Sequence, residues 1–275
     1  MRLSKTIAWV AALFWAATAG AEAPKRVVSL NLCTDQLAIA LAAPGQLISV
    51  SRLAADPRVS AMAETATELP ANDGSAEAVV RLKPDLVLAG TWTTQATTTL
   101  LEQLGYRVER FAPVNSFDEA RANIARMGAL LGREDSARDM LASFDSRLSA
   151  LEPGKTPAPR VALYYALGNT AGTATLPGEI MTRAGLHNIA SDIGIAFYGA
   201  LPLETLILQD PDMILVGRPY AGHARATELL AHPALSRLEK LRQIDTGRDW
   251  TCETPALLDA VESLVQLRQD WEARQ

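Results

Sequence analysis

Two cysteines, Cys33 and Cys252, stand near opposite ends of a 275-residue chain, each just ahead of a helical pattern. Thiols can oxidise to a disulfide, contact a ligand or metal, or serve unrelated purposes, and the spacing leaves all three open. His187, His223 and His232 form no nucleophile–base motif with either thiol, so hydrolytic chemistry is not expected. The aromatics Trp92, Tyr164, Tyr165, Phe197, Tyr198, Tyr220 and Trp250 all fall where a strand reading ends. Neighbours on a strand alternate in direction, so one of Tyr164 and Tyr165 must face the interior. Trp92 and Trp250, flanked by Thr or Asp in loops, read as walls for a large, flat, partly apolar ligand. Asn31, Thr34, Asp35, Asp249 and the cation Arg218 occupy comparable strand-end loops. Glu77 and Glu204 form a third group, near the starts of two helices. An acid there suits the positive helix end; its recurrence equally suits a pair of acidic knobs engaging basic sockets on a partner.

These residues need elements to hold them. Arg26–Leu30, Leu47–Val50, Leu86–Ala89, Arg107–Phe111, Arg160–Tyr165 and Met213–Val216 read as short buried strands. They alternate with helical patterns that begin at Thr34 or Asp35, Ser75, Thr97, Gly178 and Leu203, which implies parallel βα units. Residues 52–74 read as loop. The stretch Glu77-x6-Pro84-Asp85-Leu-Val-Leu-Ala-Gly90 recurs as Glu204-x6-Pro211-Asp212-Met-Ile-Leu-Val-Gly217, a duplication too long for a solenoid repeat. Between the copies, Ser116 with Glu119 forms a capping box. Ile124, Met127, Leu130 and Leu131, then Met140, Leu141, Phe144, Leu148 and Leu151, continue a helical face across Gly132. The expected fold class is α/β: two Rossmann-like lobes with parallel sheets joined by a single long α-helix. The boundaries are 22–115 for the N-terminal lobe, 116–152 for the helix and 153–275 for the C-terminal lobe. Ligands of open parallel sheets sit outside the carboxyl ends of the strands, so the site is expected in a cleft between lobes.

Composition narrows the class. At 48% hydrophobic and 21% charged the chain can bury a large core, which excludes disorder. A net charge of −5 without a basic patch argues against nucleic acid. Arg2 and Lys5, the apolar run Ile7–Ala17 and the small residues up to Ala21 form a cleavable signal peptide over residues 1–21. The apolar run is shorter than the ~20 residues of a membrane span. The mature product is expected to be acidic and periplasmic.

The Leu82-Lys-Pro-Asp-Leu-Val-Leu88 segment with its upstream Glu, the opening Arg26-Val-Val-Ser-Leu30, the helix over 117–151 and the second-lobe copy together carry a resemblance. The chain resembles the periplasmic substrate-binding proteins of ABC importers for vitamin B12, ferric siderophores and haem, over residues 24–275. The resemblance implies that the protein is no enzyme, needs no cofactor, and acts as a monomer. It would capture a metal chelate, a corrinoid ahead of a ferric siderophore and haem third, and deliver it to an ABC permease at the inner membrane. Glu77 and Glu204 match the family's permease-docking positions, where arginines of the permease pair with them. The expected ligand site, drawn from the strand-end loops, comprises Asn31, Cys33, Thr34, Asp35, Trp92, Tyr165, Tyr198, Arg218, Asp249, Trp250 and Cys252; the resemblance matches Tyr198, and approximately Trp92 and Trp250, to cleft aromatics of the B12 binders. The intralobe disulfide of some B12 binders is absent; Cys33 and Cys252 stand elsewhere, on walls expected to face each other, and a bond between them would clamp the cleft. A zinc or manganese receptor shares this architecture but needs about four His, Asp or Glu ligands. An exported α/β enzyme is the remaining alternative.

Overall fold

A computed structural model describes residues 22–151, 157–217, 228, 230, 232–236, 239–244 and 246–275. The expected signal peptide 1–21, Arg218, Tyr220 and His223 lie outside the described residues.

The first lobe opens with β1 (Val27–Ser29), whose three residues are all buried. Helix α1 (Leu32–Leu41) follows, capped by Asn31 and not by Thr34 or Asp35: the Asn31 side chain accepts from the N–H groups of Cys33 and Thr34 at 3.0 and 3.5 Å. Asn is among the best capping residues because its short amide reaches the orphan donors of the first turn. Then come β2 (Leu47–Ser51), α2 (Ala63–Ala66), β3 (Ala71–Asn72), α3 (Ala76–Leu82), β4 (Leu86–Gly90), α4 (Gln95–Gln103) and β5 (Val108–Phe111). The stretch 52–74 is therefore not loop throughout; it carries α2 and the short strand β3. All pairings are parallel, in the order β3-β2-β1-β4-β5. The chain reverses its direction of winding between β1 and β4, the switch point at which doubly wound sheets open a crevice.

The connector is α5 (Phe117–Leu131) and α6 (Glu134–Ser149). The connection is helical as expected, but 116–152 is not one uninterrupted helix. Gly132 takes a left-handed conformation (φ 66°), which ends α5 and turns the chain back on itself. Residues remote from that turn meet: Phe117 and Phe144 pack edge to face at 5.5 Å, and Arg121 pairs with Asp145 at 2.7 Å. Nearer the turn a Cβ on Gly128 would stand 2.4 Å from that of Ala137, so here the helices touch closely. The result is an antiparallel hairpin. Helix α5 runs from Phe117 in the core of the second lobe to Leu131 in the core of the first, and α6 returns from Ala137 to Phe144.

The second lobe comprises β6 (Arg160–Tyr164), β7 (Asn169–Ala171), α7 (Leu176–Arg183), β8 (His187–Asn188), β9 (Tyr198–Ala200), α8 (Leu203–Gln209), β10 (Met213–Gly217), α9 (Pro233–Ser236), β11 (Leu241–Ile244) and α10 (Leu257–Glu272). Its parallel sheet has the order β11-β10-β6-β8, so β6 lies between β10 and β8 as β1 lies between β4 and β2. Strands β7 and β9 form a separate antiparallel ribbon.

The duplication extends to the contacts. In the first lobe Arg26 donates to the last carbonyls of α3, Leu82 at 2.6 Å and Lys83 at 3.2 Å, while the Asp85 carboxylate accepts the Arg26 N–H at 3.0 Å. In the second, Arg160 donates to the Gln209 carbonyl ending α8 at 2.5 Å, and Asp212 accepts the Arg160 N–H at 2.8 Å. Helix ends leave carbonyls without intrahelical partners, and an arginine on the neighbouring strand satisfies them in both lobes. Both helices close on a left-handed residue before proline, Lys83 (φ 48°) and Asp210 (φ 44°).

Candidate functional site

The switch point of the first lobe is bordered by the loops after β1 and β4. Asn31 fills the gap between them; a Cβ on Gly90 would come 2.8 Å from its amide nitrogen, so only glycine permits the approach. Beyond Gly90, Trp92 is 86% exposed, a large apolar surface left in solvent at the mouth of the crevice. Thr34 and Asp35 do not join it. Both are fully buried, since the first turn of α1 points them at the sheet. The Thr34 hydroxyl meets that of Ser29 at 2.8 Å. The Asp35 carboxylate accepts from the Ser51 N–H at 3.2 Å and hydroxyl at 2.5 Å. Burial raises the Asp35 pKa to about 6 despite those hydrogen bonds.

Across the cleft, β6 divides its tyrosines. Tyr164 is fully buried, while Tyr165 is half-buried at the strand end, its phenol pKa raised by burial and by neighbouring Tyr198. Tyr198 opens β9 at 65% exposed, beside Phe197 at 62%. Leu167, between them and β6, is 70% exposed and holds a left-handed backbone (φ 59°). Such a conformation disfavours a branched side chain, and strained residues of this kind gather at binding sites. Nothing in Ala-Leu-Gly marks it in advance. Trp250 is a correction: it is only 5% exposed and packs in the core with Leu257, Leu258 and Val261, so it cannot form a cleft wall. Asp249 pairs with Arg248 at 2.8 Å and lines a separate 370 Å³ crevice with Met62, Met140 and Arg147, apart from the aromatic rim.

Cys33 and Cys252 are joined by a disulfide, with Cα atoms 4.9 Å apart and 219 residues of separation. Next to it Glu253, 2% exposed, accepts a hydrogen bond from the Asn123 side chain of α5 at 3.0 Å. Burial holds the Glu253 pKa above its ordinary value. Neither Asn123 nor Glu253 carries a sequence signal. Glu77 and Glu204 are both exposed in the first turns of α3 and α8, at equivalent places in the two lobes. A groove of 1230 Å³ beside α7 and the start of α5 is lined by Asn115, Ser116, Thr173 and Phe197, and by none of the expected ligand residues. Among the described residues no cluster of three His, Cys, Asp or Glu could hold a metal ion, and no helix is long and apolar enough to cross a membrane.

Comparison with known proteins adds the following. Residues 27–243 match the family described as periplasmic binding protein. A cobalamin-binding protein of Halobacterium salinarum is 32% identical over 199 residues, 70% of this chain and 54% of that protein, so the chain spans about half the length of this relative. A vitamin B12-binding protein of Photorhabdus laumondii is 24% identical over 260 residues, 90% of this chain and 89% of that protein. Among solved structures, the apo periplasmic heme-binding protein RhuT from Roseiflexus sp. RS-1 superposes with a TM-score of 0.71 at 23% identity, covering 90% of this chain and 98% of its own. The vitamin B12-binding protein BtuF of Vibrio cholerae does so with a TM-score of 0.62 at 20% identity, covering 90% and 98%. These structural likenesses establish a shared fold.

Proposed function

We propose, from the premise that this chain belongs to the periplasmic binding protein family, that it captures a metal chelate and hands it to the permease of an ABC importer. The protein is a binding protein, not an enzyme. A corrinoid is the favoured ligand, ahead of a ferric siderophore. The observation that carries this reading is the set of aromatics at the strand ends: exposed Trp92 on one lobe, with half-buried Tyr165 and exposed Tyr198 on the other. Exposed aromatic faces bind a broad planar macrocycle through dispersion and desolvation, and need no fixed charge to do so. The names of the Halobacterium and Photorhabdus relatives support the corrinoid choice. Residues 1–21 would direct export to the periplasm and be removed. Asn31 supports this site as the cap that shapes its floor.

The test is a titration of the purified protein with cyanocobalamin and a panel of ferric siderophores, followed by tryptophan fluorescence and calorimetry. Saturable binding of cyanocobalamin is expected. Trp92→Ala should weaken it about tenfold, the worth of one aromatic contact of roughly 1–1.5 kcal/mol. Folding should be untouched, because Trp92 is 86% exposed. Saturable binding of a siderophore alone would replace the corrinoid; no binding of any chelate would end the reading.

A further inference from the structure

The disulfide ties together segments that are themselves firmly seated. Cys33 stands in the first turn of α1, which is capped by Asn31 and anchored by buried Thr34, Asp35 and Leu37. Cys252 belongs to a loop of the second lobe in which Trp250, Glu253 and Thr254 are buried as well. One residue beyond the bond, the Glu253 carboxylate holds Asn123 of α5 at 3.0 Å. First lobe, second lobe and connector therefore meet at one seam, where Cys252 and Glu253 are buried and Cys33 and Asn123 half-buried. A cross-link between floppy loops would be absorbed locally, whereas one between packed segments is transmitted to the lobes.

We propose that Cys33 and Cys252 are positioning residues: their bond fixes the spacing of the two lobes along one edge of the cleft and keeps the ligand space preformed. The ligand need not then select a rare spacing of the lobes. With the bond open, the lobes sample wider arrangements, and apparent affinity falls in proportion to the competent fraction. The fall appears in the association rate, since the bound state keeps its contacts. The effect on affinity rests on the ligand-binding reading above; the effect on lobe spacing does not.

The experiment compares oxidised protein, protein reduced with a phosphine, and the double variant C33S/C252S. Small-angle scattering and hydrogen exchange are read without ligand, and cyanocobalamin association and dissociation rates with it. On opening the bond, the expected result is a broader distribution of dimensions and faster exchange around residues 31–36 and 250–256. Exchange in β1 and β6 should be unchanged. Association should slow about tenfold, the result of a competent fraction near one tenth, with dissociation nearly constant. Agreement between reduced protein and double variant separates loss of the bond from change of side chain, and if the variant fails to fold, the reduced protein carries the comparison. Identical scattering, exchange and rates, with only a lower melting temperature, would show a bond that stabilises without positioning and would overturn the proposal. If oxidised protein binds no chelate, the ligand reading fails while scattering and exchange still decide the clasp.

Discussion

Asp35 is a buried carboxylate whose described partners are hydroxyls and a backbone N–H, and its pKa of about 6 makes stability depend on pH. The folded value lies above the unfolded one, so the folded protein binds the proton more tightly. The associated stability is complete below about pH 4 and is lost as pH rises through 6. A shift of this size corresponds to about 3 kcal/mol. Urea unfolding at intervals from pH 4 to 7 should show that decline, and Asp35→Asn should flatten it; an unchanged slope would remove Asp35 as its source. The same residue shows how far single positions can be read from sequence. Asp35 and Trp92 both follow strands, but only Trp92 reaches the surface, because the turn of α1 rotates Asp35 onto the sheet. Trp250 is equivalent to Trp92 by its polar neighbours, but it is buried in the second-lobe core with Leu257, Leu258 and Val261 of the helix that follows it. Leu167 and Glu253 matter through backbone conformation and burial, which only the folded chain defines.

At the level of elements, the repeated Glu–Pro–Asp–Gly spacing appears in the fold as two seven-residue helices, each followed by a central strand of its sheet. That much was legible because caps, turns and apolar runs act locally. The connector was not fully legible. Its apolar face continues at helical spacing through Gly132, and a straight helix and a hairpin share that pattern. Which forms depends on whether the two halves find each other, and the close approach at Gly128 allows it. The ribbon β7–β9 escaped notice for a related reason, since strands of three residues carry little periodicity. The hairpin makes a definite prediction. Gly128→Val forces side-chain atoms into the contact with Ala137 and should cost about 1–3 kcal/mol as overpacking. Gly132→Ala places a Cβ in a left-handed position, 2.6 Å from that of Ala23, and should cost about 1–2 kcal/mol. Denaturant midpoints of the two variants check both; wild-type stability in Gly128→Val would mean that the helices do not meet there, and in Gly132→Ala that the chain does not turn through a left-handed residue at 132.

For the molecule as a whole, two lobes with corresponding strand orders present an exposed glutamate at corresponding places. Under the proposed transport role, these acids are the points that meet the permease. Reversing both, Glu77→Lys with Glu204→Lys, should abolish chelate uptake by cells while the purified variant binds as before. Retained uptake would remove the docking role without touching the ligand site. The seam between the lobes bears on production as well. A chain is synthesised from its N-terminus, so Cys33 emerges 219 residues ahead of the partner it needs. With only two cysteines in the chain, no incorrect bond can form within one molecule. What can go wrong during that wait is capture of Cys33 by another chain, so crowded, oxidising expression should yield covalent dimers through Cys33, and slow oxidation of dilute folded chains should yield the monomer.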